Sequence, residues 1–180
     1  MRFRDRDDVM KRLLAVAIFA AAMGWLEAVL VVYLRKLIGL EGTLDMFDPA
    51  TREALLKRFA LMFSKGEAGH LSPPFLLIEQ TREAATIVML AAVGYIAGRD
   101  LRTRAAYFLF TFGAWDIVYY ASLWILLRWP PSPQTLDLLF LLPFPWVAQA
   151  WIPMAISVLF IGWSAHALLK GRVPASRRGR

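Results

Sequence analysis

The chain has 180 residues, 58% of them hydrophobic, no cysteine and a formal net charge of +7, with a mean hydropathy of +0.49. A soluble domain of this size is about 45–50% apolar, and here the surplus is gathered into long runs, the pattern for which a membrane is the natural solvent. The missing cysteines exclude disulfides, thiolate metal sites and cysteine nucleophiles, and the basic residues flank the apolar runs as orientation signals do, which speaks against a nucleic-acid partner.

In chain order, the first element is a membrane helix over 13–34. The opening MRFRDRDDVMKR-LLAVAIFAAAMGW imitates a secretory leader. Its apolar stretch, however, runs on to Leu34, about twice the length of a leader's apolar core, so an uncleaved span is expected. Arg35 and Lys36 end it. In the connection that follows, Asp48 is placed to cap a helix with Pro49 at its first position. Leu55, Leu56, Phe59, Met62 and Phe63 line one face of that helix, and Arg52, Lys57, Arg58 and Lys65 the other. The segment 49–65 therefore reads as an amphipathic helix on the membrane surface or on the bundle.

A second span is expected over 75–97, closed by Gly98, and a third over 105–127, ended by Arg128-Trp129-Pro130-Pro131. Residues 135–142 are apolar but too short to cross, and Pro143 and Pro145 stop them, which predicts a re-entrant or interfacial segment. The fourth span is expected over 146–169, kinked at Pro153. The basic tail 171–180 is polar enough to be disordered. The expected fold is thus an all-α membrane protein: one domain over 1–170, a four-helix transmembrane bundle with a surface amphipathic helix. Its partner is the lipid bilayer, with a homodimer or larger membrane complex left open. Thirteen Lys and Arg fall at the N-terminus, the 99–104 turn and the C-terminus, against seven in the two opposite loops. That asymmetry puts both termini in the cytoplasm. Trp129, Trp146, Trp151 and Tyr33 read as interface anchors.

Charges inside spans are costly, about 2.5–3.5 kcal/mol each at a helix centre, yet Glu27, Glu79, Arg82, Glu83 and Asp116 all fall inside them. At about 1.5 Å per residue, Glu27 lies ~10 Å, Glu83 ~12 Å, Asp116 ~16 Å and Glu79 ~6 Å from the outer ends. All four acids therefore share the outer half or the midplane. Azimuth points the same way. Gly24 shares a face with Glu27, Gly94 and Gly98 with Glu83, and Gly113 with Asp116, and small residues mark the faces where membrane helices pack. Glu79 and Arg82 are spaced to pair along one helix. The four acids against Arg82 leave a formal −3, which requires bound protons, a cation or water. Tyr119 and Tyr120 are donors to this group, and Asp137 and Gln149 are candidates to close it.

An oxygen-only site built on Glu27, Glu83 and Asp116 would suit Mg²⁺, Ca²⁺ or Mn²⁺. His70 and His166 fall on opposite sides of the membrane, so neither zinc nor haem is expected. The Glu-x-x-His pair of di-iron bundles is absent, as are HExxH, GxSxG, P-loop and GxGxxG motifs. Three uses of the cluster remain open. It can be a cation or proton site serving transport. It can be an intramembrane enzyme site for a lipid-like substrate, with a carboxyl as general acid or base and Arg82 holding an anionic group. Or it can be interhelical glue in a structural subunit.

The stretches GWLEAVLVVYLR (24–35), REAATIVML (82–90), WDIVYY (115–120) and LDLLFLLPFPW (136–146) together resemble a group of bacterial integral membrane proteins with no established activity. The resemblance covers most of residues 13–165. It implies a bacterial inner-membrane location and no catalytic role for any residue.

Overall fold

A computed structural model describes residues 2–37, 73–142 and 146–170. The expected amphipathic helix over 49–65, His70 and the basic tail lie outside them. Four helices and one hairpin follow in order: α1 (Arg2–Leu37), α2 (Pro73–Ala97), α3 (Leu101–Leu127), β1 (Leu136–Phe140), β2 (Trp146–Gln149) and α4 (Trp151–Lys170). Three stretches, Asp7–Lys36, Leu101–Leu127 and Trp151–Lys170, are long and apolar enough to cross a membrane. These are the helices of a membrane protein. The fourth helix, α2, is long enough at 25 residues, but Glu79, Arg82 and Glu83 make it amphipathic. The four-span expectation is therefore met in three helices.

The helices run further than their apolar cores. The charged opening of the chain holds nothing that breaks a helix, and α1 takes in residues 2–12 as well. Asp100 starts α3 four residues early through a capping box: its carboxylate accepts from Thr103 N while the Thr103 hydroxyl serves the cap backbone.

The segment between α3 and α4 overturns two expectations. Residues 135–149 are not an all-helical region. β1 and β2 pair antiparallel, with Leu136 opposite Gln149, Asp137 opposite Ala148, Leu138 opposite Val147 and Phe140 opposite Trp146, and a bulge between Leu138 and Phe140. Pairing gives each strand backbone partners that an isolated extended segment would lack in an apolar setting. Because β2 uses residues 146–149, α4 begins at Trp151. The amide of Ala150 donates to the Thr135 carbonyl at 2.9 Å and that of Trp151 to the Pro133 carbonyl at 3.0 Å. These bonds satisfy donors that a helix start leaves free. Pro153 then falls in the first turn, where no intrahelical donor is required, so it starts the helix and does not interrupt one.

α3 is the hub, packed on α1, α2 and α4, while α1 and α2 touch each other sparingly. Two glycines set how closely α3 is approached. A Cβ at Gly24 on α1 would stand 2.6 Å from the Trp115 carbonyl, and one at Gly113 on α3 would stand 2.6 Å from the Ser157 carbonyl on α4. Both helix pairs meet backbone to backbone there, as the small-residue faces predicted. Apolar packing forms one cluster at the α1 start (Val9, Leu13, Val16, Ala106, Tyr107, Leu168) and another under the hairpin end (Ala28, Tyr120, Leu123, Trp129, Ala150).

Candidate functional site

Between the two ends the helices part around a cavity of about 270 Å³. α1 contributes Glu27, α2 contributes Arg82, Glu83 and Thr86, and α3 contributes Asp116, Tyr119 and Tyr120. The hairpin closes one side with Asp137 to Phe140 and Trp146, and α4 supplies Ser157 and Phe160. Leaving Gln149 aside, seven of the eight residues singled out from the sequence thus share one wall. The eighth, Glu79, stands beside it and reaches Arg82.

Each polar wall residue is held by its neighbours. Glu27 is 5% exposed. One of its oxygens takes Arg82 Nη1 and the other the Thr86 hydroxyl. Arg82 turns Nε and Nη2 to Glu79 Oε1 at 2.8 and 2.5 Å, so one guanidinium joins two acids from two helices. The spacing 79, 82, 83, 86 puts the polar groups of α2 on one face, and that face points inward. Glu83 accepts the Leu141 backbone N–H at 2.8 Å, tying α2 to the end of β1. Asp116 accepts from the Ser157 hydroxyl at 2.8 Å, and Asp137 from the Tyr120 hydroxyl at 2.6 Å. Among the described residues, Arg82–Glu27 and Arg82–Glu79 are ion pairs, whereas Glu83, Asp116 and Asp137 have none.

Asp137 lies outside the spanning helices. Burial pushes its carboxyl up to about 6, against the opposite pull of the Tyr120 hydroxyl, the Arg35 charge and the Leu138 N–H. Arg35 is half-buried, its guanidinium 4.3 Å from the centre of the Trp129 ring. Trp129 is accordingly no interface anchor: it is 3% exposed and stacks on Tyr120. Trp146, Trp151 and Tyr33 are exposed, as anchors are.

Two more expectations change. Among the described residues no group of three His, Cys, Asp or Glu converges as a metal-ligand set, so Glu27, Glu83 and Asp116 are not assembled for a divalent cation. Gln149 lies on β2, where it accepts from Trp151 Nε1 at 2.7 Å, and it does not close the cluster.

Sequence reasoning missed the hydroxyls and the aromatics. Thr86 follows Arg82 by four residues and so shares its face. Ser157 and Ser164 are buried one heptad apart on α4, the repeat that marks a helix's inner stripe. The rings gather on Phe112: Trp115 at 5.4 Å, Phe160 at 6.2 Å and Phe140 at 6.4 Å between centroids. They come from three separate elements, and no local spacing announces them. Neither a protein-family model nor a curated protein nor a solved structure matches the chain.

Proposed function

We propose that the chain is a bacterial inner-membrane protein whose intramembrane cavity binds a cation or exchanges protons in the service of transport. The observation that carries this reading is the charge on the wall. Arg82 is already engaged by Glu27 and Glu79, so Glu83, Asp116 and Asp137 face the cavity with no ion pair among the described residues. Several carboxylates in a low-dielectric enclosure call for protons or a cationic guest. Interhelical glue accounts for the Arg82 pairs and for the single hydrogen bonds that reach Glu83, Asp116 and Asp137, but it leaves the charge of these three acids without a counterion among the described residues.

In this reading α2 is the fourth span. Its inward face holds the charges, while Leu77, Ile78, Val88, Met89, Tyr95 and Ile96 are exposed on the outside. A surface helix of a soluble protein has the reverse arrangement, and 25 residues cover about 38 Å against a hydrocarbon core of about 30 Å. Both termini are cytoplasmic, from the excess of Lys and Arg on that side. In intact cells a cysteine replacing Thr103 is then shielded from an impermeant thiol reagent, and one replacing Gly66 is labelled; the reverse pattern overturns the orientation.

The site itself is tested by titrating the tryptophan fluorescence of purified protein, because Trp115 stands on the cavity wall. Wild type is expected to show a pH transition that Asp116→Asn and Glu83→Gln shift or abolish. A response that is flat, or identical in all three proteins, would leave only the structural role.

A further inference from the structure

We infer that the guest of this cavity is an organic ammonium ion carrying apolar or aromatic groups, an inference that rests on the cation-site reading above. Two observations narrow the guest. The first is the absence of a converging acid set among the described residues, whereas Mg²⁺ or Ca²⁺ needs about six to eight oxygens around one point. The second is the space and its lining. A proton needs no cavity of 270 Å³, and it gains nothing from the Phe112, Trp115, Phe140 and Phe160 rings packed along the wall. Ring faces beside carboxylates favour a poorly hydrated cation with an apolar body, because the rings attract its charge and cover its carbon.

The ammonium group then sits by Asp116 and Asp137, which line the same cavity.

Two nearly isosteric probes separate the charge from the apolar body: phenethyltrimethylammonium and neutral 3,3-dimethylbutylbenzene. Binding to detergent-solubilised full-length protein is read by tryptophan quenching and calorimetry. The charged probe is expected to bind at least about tenfold more tightly than the neutral one. The comparison between probes on wild type does not depend on any variant folding. Equal affinity for the neutral probe overturns the inference, as does displacement of the charged probe by equimolar Mg²⁺ or Ca²⁺. No binding by any probe, with the pH transition of the fluorescence test intact, overturns the ammonium assignment and leaves a proton site. Loss of both responses removes the cation-site reading as well.

Discussion

The bundle is closed where α1 begins and parted further along, around the cavity, although the same helices build both regions. Where the first turns of α1, the α2–α3 corner and the last turn of α4 meet, Val9, Leu13, Val16, Tyr107 and Leu168 fill the space. Backbones there come so close that a Cβ on Gly98 would stand 2.3 Å from Arg104 N. Arg12 donates to the Ala97 carbonyl at 2.8 Å and so caps the end of α2 from a neighbouring helix. Further along, the hairpin and a layer of acids, hydroxyls and rings line the gap that opens between the helices. The difference lies in what fills the gap between α1 and α2. At the closed end small and apolar residues let helices touch; further along, Glu27 and Arg82 hold the two apart while bonding them. Polar pairing spaces helices as well as joining them.

The largest effect is expected from removing the guanidinium. Arg82→Gln leaves Glu27 and Glu79 buried without their cation and is expected to cost about 3–5 kcal/mol in a denaturation titration. The double change Glu27→Gln with Arg82→Gln removes charge of both signs and should cost clearly less than Arg82→Gln alone. If the double variant is the worse of the two, the pair is not what holds α1 to α2.

Next comes the pH dependence contributed by Asp137. The folded protein keeps this proton to about pH 6, whereas an ordinary aspartate loses it near 3.8. Between those values the folded state binds more protons, so this contribution to stability is greatest at low pH and is lost as pH rises. From about pH 4 to about pH 7 wild type should lose about 3 kcal/mol that Asp137→Asn retains. Parallel stability profiles for the two proteins would contradict the burial assigned to this carboxyl.

The closed end gives the third test. Gly98→Ala forces a methyl group against the Arg104 backbone and should cost about 1–3 kcal/mol, while the pH response of the cavity stays as in wild type. A shifted pH response would show that the two ends are not independent. Smallest is Tyr120→Phe, which removes one hydrogen bond worth about 1 kcal/mol. Because that bond lowers the Asp137 value, its loss should also move the Asp137 transition to higher pH. A transition that stays in place would remove Tyr120 from the site.

The membrane character and the inward acids were legible because each rests on a local rule. Glu27, Glu83 and Asp116 share faces with Gly24, Gly94 and Gly113 at helical spacing, and a helix must turn costly charge and small residues toward its neighbours. The hairpin was not legible. LDLLF contains no β-branched residue and is rich in a good helix former. All five of its residues are half-buried, so no alternation of apolar and polar marks a strand. What makes it a strand is tertiary: β2 as partner, and Glu83 to receive the Leu141 amide. The aromatic wall was illegible for a similar reason, since Phe112, Phe140 and Phe160 lie on three different elements.

The bond from Leu141 to Glu83 also fixes an order of events during synthesis. Chains emerge and fold from the N-terminus, so α2 and its carboxylate are made 58 residues ahead of the amide they receive. Asp116 likewise precedes Ser157, and Tyr120 precedes Asp137. Every acceptor or donor that seats the hairpin and α4 is therefore waiting when those segments arrive. The cavity wall exists before its cover, and the cover docks onto a finished template.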